Sequence, residues 1–182
     1  MDSYSRFGFI SYIFKKLEEI RPYYGKIVAQ KIIYFLQEAE GVNLDYNFSF
    51  YHYGPYCDEL ARDIQLMEMN NIIKTSSDPQ DKGYAIYLNE EEAIEFIEDS
   101  ADLIKKYNDK ITHAIKDFGR YKPSPLELAA TIHYVYKELK SGNGHNIEKD
   151  EVIKIVKGLK PKFEITQIDD SYSNLLTKGY LN

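Results

Sequence analysis

The sequence predicts a mainly α-helical chain with a small β-hairpin (α+β), organised as two winged-helix-like helix-turn-helix units packed together. Three observations carry that prediction. Apolar residues recur every three to four positions along most of the chain, which is the helical period. Only "DYNFSFYHYG", "NIIKTS" and "YAIYLN" read as extended, being rich in aromatic and β-branched residues. Finally, "DIQLMEMNNIIK" (63–74) and "SYSNLLTKGYLN" (171–182) share one cadence, in which a helix runs into a polar pair and then an apolar pair enters something extended. That is how the third helix of a winged-helix unit meets its wing, and the repetition points to two copies. The first unit is placed at 1–118, including a long following helix, and a C-terminal three-helix unit at 119–182.

The elements follow in order. Phe9, Ile10, Ile13, Phe14 and Leu17 put one apolar face on a helix ending near Glu19, and Pro22 and Gly25 in "RPYYG" break it. Val28, Ile32, Phe35, Leu36 and Ala39 form the stripe of a second helix, with Gly41 as its C′ residue. An extended aromatic segment follows, and Pro55 is expected to open the next element. Leu60, Ile64 and Met67 face inward on a third helix, "CDELARDIQLMEMN". Two strands then flank the turn "SDPQDKG". Glu90 to about Phe118 reads as one helix with Ile94, Ile97, Ala101, Ile104, Ile111 and Ile115 inside and a polar interruption at Asn108. "GRYKPSP" is the boundary loop. Ser124-Pro125-Leu126-Glu127 reads as a capping box with proline at N1, opening a helix that buries Leu128, Ile132, Val135 and Leu139. Two more helices follow "KSGNGHN", through Val152, Ile155 and Leu159, then Ile168, Tyr172 and Leu175.

The totals narrow the class of function. Hydrophobic residues at 43% and charged residues at 29% fit a folded, soluble chain. No signal-peptide pattern and no apolar run of the ~20 residues that a membrane helix needs is expected. A single cysteine cannot close an intramolecular disulfide, so a cytoplasmic location is expected. The net charge of -6 concentrates in the middle, where residues 75–107 carry 9 acidic and 3 basic side chains. Phosphate binding rests on clustered cations, so nucleic acid is disfavoured as a partner.

Residues that could carry chemistry read as structural. His52 and Cys57 could form a thiolate–imidazole pair, but nothing in the sequence orients the base or supplies an oxyanion hole. His52, His113, His133 and His145 show no metal-ligand spacing. "SGNGHN" lacks the ending of a phosphate loop, and "NEEEAIEFIED" reads as a solvated helix face. No catalytic residue, metal or cofactor is expected. On the aromatic strand, Tyr46, Phe48, Phe50 and His52 share one face, with Tyr51 and Tyr53 on the other.

Residues 29–73 resemble a known family. "AQKIIYFLQEAEG", "YNFSFYHYGPYCDEL" and "LMEMNNIIK" are similar to the YwgA-like proteins and the wider Panacea group, the SocA-like antitoxin domains. Gln30-Lys31, Tyr34, Tyr53-Gly54-Pro55-Tyr56 and Glu59-Leu60 stand where that pattern has them. "LELAATIHYVY" and "KPKFEITQI" look like the C-terminal part of YwgA-like members. Cys57 and Glu164 stand where serine is the common helix cap. The resemblance implies a mostly helical, winged-helix-like fold with no known catalytic residues, and in some members binding of a toxin.

A DNA reader should carry cations and amides on its third helix. The candidate from Asp58 to Asn70 holds Asp58, Glu59, Asp63 and Glu68 against Arg62, and that from Glu164 to Lys178 holds Glu164, Asp169 and Asp170 against Lys178. Lys74 and Lys82 lie in the wing, flanked by Asp78 and Asp81. The expected function is therefore a non-enzymatic interaction module of the antitoxin or adaptor type, with a winged-helix transcriptional regulator as the alternative. A protein partner, a toxin or regulatory protein, is expected at Tyr51, Tyr53, Tyr56, Glu91, Glu95, Glu98 and Asp102. No membrane partner is expected, and a homodimer is left open.

Overall fold

The computed structural model describes residues 3–21, 23–77, 84–143 and 147–181, apart from the side chains of Ser3 and Asn143. Pro22, the wing-turn residues Asp78, Asp81 and Lys82, and His145 lie outside the described residues. The elements run α1 (Ser3–Glu18), β1 (Tyr24–Gly25), α2 (Lys26–Glu38), β2 (Ser49–Tyr51), β3 (Gly54–Tyr56), α3 (Asp58–Met69), β4 (Ile73–Ser77), β5 (Tyr84–Leu88), α4 (Glu90–Asp99), α5 (Ala101–Phe118), α6 (Pro123–Asn143), α7 (Lys149–Leu159) and α8 (Ile165–Thr177). The protein is mainly helical with little sheet. It divides into two compact units, one of Met1–Ser49 with Cys57–Tyr121 and the other of Phe50–Tyr56 with Lys122–Asn182. The aromatic hairpin thus belongs with the C-terminal helices, an assignment that sequence spacing did not supply.

In the first unit, α2 lies at the centre. Every residue from Val28 to Leu36 is buried, including Gln30 and Lys31, so the one-sided stripe expected there is corrected to burial all round. On α1, Phe9, Ile10, Ile13, Phe14 and Leu17 are fully buried as their spacing requires. Phe35 of α2 stacks on Phe118 of α5 at 3.9 Å. The strands form an antiparallel sheet in the order β1-β5-β4, with Tyr24 opposite Ile86 and Thr75 opposite Ile86 on the other side. The Arg21 guanidinium closes the far end of α5, donating to the Gly119 and Tyr121 carbonyls at 3.2 and 3.0 Å, where the helix dipole favours a cation.

The single helix expected from Glu90 to Phe118 is two. It breaks at Ser100, whose hydroxyl donates to the Ser5 carbonyl at 3.2 Å. Asn108 does not interrupt α5; it accepts the Tyr12 hydroxyl at 2.9 Å while remaining helical. The break rotates the inner face, so Ile94 is 53% exposed and Ala101 exposed, whereas Ile104, Ile111 and Ile115 stay buried.

The second unit holds α6, α7, α8 and the two-stranded β2–β3 hairpin. α6 begins at Pro123, one residue before the expected cap, and Ser124 lies exposed inside its first turn. The capping box at Ser124 and Glu127 does not form. Glu127 is 3% exposed and accepts Lys160 Nζ at 2.7 Å and Lys162 Nζ at 2.8 Å, because two lysines hold a carboxylate better than backbone donors at an open helix end. A capping box forms instead at the start of α8, where Glu164 and Gln167 exchange side-chain and backbone bonds.

The sequence echo has a physical basis at its C-terminal halves. α3 ends on Asn71 at φ 58°, with Asn71 N–H donating to Glu68 O (3.1 Å) and Ile72 N–H to Met67 O (2.9 Å). α8 ends on Gly179 at φ 80°, with Gly179 N–H donating to Leu176 O (3.0 Å) and Tyr180 N–H to Leu175 O (2.9 Å). Both are Schellman ends, and they fall on matching positions of the two segments. Ile72 and Tyr180 are the buried residues that follow each left-handed position. Replacing Gly179 with alanine forces a side chain into the left-handed region and is expected to cost about 1 kcal/mol, read as a lower urea midpoint.

Candidate protein-interaction surfaces

The corner "YHYGPYC" is built from two halves with different duties. Gln30, on α2 and 2% exposed, clamps Cys57 from both sides: its amide nitrogen donates to the Cys57 carbonyl at 2.9 Å and its oxygen accepts the Cys57 N–H at 3.0 Å. The Cys57 sulfur then accepts the Leu60 N–H at 3.5 Å as the N-cap of α3, and its S–H donates to Glu59 at 3.2 Å. Burial pushes the thiol pKa up, so the group is held as a neutral thiol instead of a thiolate. Gln30, Cys57, Glu59 and Leu60 together position a helix start.

Other buried acids share this behaviour. Burial raises the Tyr24 and Tyr46 hydroxyls as well, the second also by its bond to the Asp63 carboxylate at 2.7 Å. Each stays protonated in the fold at a pH where the unfolded chain would lose the proton. The unfolded state then binds fewer protons, so stability falls with rising pH. The decline is expected to begin near the unfolded thiol value of about 8.5 and steepen above about 10, where unfolded tyrosines ionise. Thermal midpoints followed through that range check it, and a midpoint that holds or rises contradicts it.

In the second unit, the hairpin presents its aromatic residues outward. Tyr51 and Tyr53 are 57% and 56% exposed, Tyr56 is half-buried, and His52 is exposed with its ring 4.5 Å from Tyr51. Phe50 turns inward to Tyr134 at 5.8 Å. Pro55 opens no helix; it is buried in β3, and Gly54 before it takes φ 82°, the left-handed backbone that glycine accepts without strain. Beneath the turn, Lys160 Nζ donates to the His52 carbonyl as well as to Glu127.

In the first unit, α1, α4 and α5 enclose a trough of two adjoining hollows, about 360 and 440 Å³, with Tyr12 and Ile97 common to both walls. Ile94, Leu88, Ala101 and Ile104 complete the apolar lining. Glu91 and Glu98 stand on its rim, and Glu95 and Asp102 are exposed on the same two helices. The predicted tyrosines and carboxylates therefore lie in different units and are two candidate surfaces. The apolar lining was missed because Ile94 and Ile97 fit a buried stripe; the readable signal was Ser100 followed by Asp102, a helix start.

The outer face of α3 also departs from its expected charge. Asp63 is buried and accepts Arg6 Nε at 2.8 Å, and Glu68 is half-buried and accepts the Thr75 hydroxyl. What remains outside is Asp58, Glu59, Arg62, Gln65, Leu66, Met69 and Asn70, with Leu66 42% and Met69 71% exposed. On α8, Asp169 is paired with Lys149 at 2.7 Å. Among the described residues no group of three His, Cys, Asp or Glu could hold a metal ion, and no helix is long and apolar enough to cross a membrane. No family model matches the chain, and no curated protein matches it.

Proposed function

We propose that the protein is a non-enzymatic, cytoplasmic protein-interaction module of the antitoxin or adaptor type, akin to the YwgA-like and Panacea proteins. The observation that carries this reading is the trough of the first unit, an apolar floor open to solvent with carboxylates along its rim. Apolar side chains at the surface beside unpaired charge of one sign suit a polypeptide partner. The outer face of α3 agrees, since Leu66 and Met69 stand out from it beside the single cation Arg62. The test is co-purification on the tagged full chain, with the retained proteins identified, alongside a mobility shift with duplex DNA. A stoichiometric protein partner supports the reading. No retained protein, together with tight salt-sensitive duplex binding, overturns it.

A winged-helix DNA reader is the second reading, and two observations favour it. With the β2–β3 hairpin set aside, the order α1, β1, α2, α3, β4, β5 and the β1-β5-β4 sheet support such a reading, and withdrawal of Asp63 and Glu68 removes two carboxylates from the helix that would enter a groove. In that case Arg62, Gln65 and Asn70 are the base-reading candidates. Arg62→Ala together with Gln65→Ala should then weaken duplex binding, and unchanged binding disposes of it.

A further inference from the structure

We propose that the trough between α1, α4 and α5 receives an amphipathic helix of the partner protein, one whose apolar stripe is flanked by lysine or arginine. The inference rests on the interaction-module reading and names the chemistry of the partner at this surface. Its first support is the spacing of the floor. Ile94, Ile97, Ala101 and Ile104 succeed one another at intervals of three or four residues across the break at Ser100, and Tyr12 faces them from α1. A row of that period is what the i, i+3, i+4, i+7 anchors of a docked helix fill. α4 alone rises about 15 Å over its ten residues, so the row accommodates two to three turns.

The second support is the sign of the rim. Glu90, Glu91 and Glu98 line the trough and are exposed, Glu92, Glu95, Asp99 and Asp102 are exposed elsewhere on the same stretch, and no lysine or arginine interrupts them before Lys105. On the trough walls the cations are Lys15, already bonded to Glu90 at 2.8 Å, and Lys105 beside Asp109. Glu91, Glu95, Glu98 and Asp102 meet no cation among the described residues. An apolar helix without flanking charge would strip water from these carboxylates and return nothing for it. An acidic helix or a nucleic-acid phosphate would meet like charge. A cationic flank answers both, and a solvated acidic face alone has no use for Ile94, more than half exposed in its midst.

The probe is a fluorescein-labelled synthetic peptide of about five turns, with leucine at i, i+3, i+4 and i+7 and lysine on the flanks; a second peptide carries glutamate for lysine. Anisotropy with the full chain should show binding of the lysine peptide alone. Ile94→Ser, and separately Glu91→Lys with Glu98→Lys, should each weaken it roughly tenfold. All three positions are exposed, so the thermal midpoint should not move, and that is measured first. No binding, or binding equal in the unaltered chain and both variants, overturns the proposal. The co-purified partner separates this inference from the reading beneath it. A partner lost from both trough variants supports the trough. One kept by them but lost on Tyr51→Ala with Tyr53→Ala overturns the trough and leaves the interaction module standing, whereas duplex DNA bound in place of any protein overturns both.

Discussion

Gly8→Ala should lower the stability of the first unit by about 3 kcal/mol, a fall of roughly 10 °C in its thermal midpoint. A methyl group at that position would lie 1.9 Å from the Phe96 carbonyl oxygen and 2.2 Å from the Ser100 hydroxyl. The first of these is backbone, so no rotamer change relieves it, and α1 and α4 must move apart. That movement strains the Ser100 hydroxyl's bond to the Ser5 carbonyl and loosens the Phe96 ring from Tyr4, 4.4 Å away, and Phe7. It also widens the trough, since α4 and α1 are two of its walls. Gly158→Ala on α7 is the control. A side chain there meets nothing within 4 Å, so alanine should stabilise by about 0.5–1 kcal/mol through helix propensity and unfolded-state entropy. Near-UV circular dichroism from the tyrosines and a thermal melt measure both. An unchanged midpoint for Gly8→Ala would mean the two helices do not cross at this distance.

The second large effect belongs to the buried pair in the second unit. The Lys160 and Glu127 side chains are 5% and 4% exposed and meet at 2.7 Å. Removing one partner leaves the other charged and out of water, so Glu127→Leu or Lys160→Met should each cost about 3–5 kcal/mol. Lys162 also reaches Glu127, but its side chain is 51% exposed and solvent screens it; Lys162→Ala should cost less than about 1 kcal/mol. Glu127→Leu combined with Lys160→Met should recover most of the loss, because an apolar pair carries no stranded charge. Urea denaturation of the four variants forms the cycle, and additive losses would mean the pair is not coupled. Lys160 also holds the His52 carbonyl, so Lys160→Met should speed amide exchange across Tyr51–Tyr56. Lys160 thus ties the ion pair to the backbone of the hairpin that carries the outward-facing tyrosines.

Local chemistry carried much of this fold in legible form. The α1 stripe of Phe9, Ile13 and Leu17, the strands Ile73–Ser77 and Tyr84–Leu88, and the inner residues of α3 and α8 all lie where apolar spacing puts them. Such patterns are readable because a helix or strand must bury one face whatever it packs against. The Schellman ends at Asn71 and Gly179 were visible only as a cadence, since residue type hints at positive φ without stating it.

The helix break at Ser100 was hidden for a different reason. Its hydroxyl goes to Ser5, ninety-five residues away, and not to its own helix start, so Ser100 followed by Asp102 was the one local hint. That break turned Ile94 from core to surface and made the trough. Glu127 misled in the same way: three residues after Ser124 it has the spacing of a cap, but the lysines that claim it follow more than thirty residues later.

Sequence by itself determined the helical character, the succession of most helices and of strands β4 and β5, and the acidity of residues 90–102, because period, turn chemistry and charge act over a few residues. Tertiary structure alone decided which carboxylates of the chain face water, withdrawing Asp63, Glu68 and Glu127 while leaving Glu91 and Glu98 outside. A carboxylate is buried only where a distant partner compensates its lost hydration, and that pairing is a property of the folded chain.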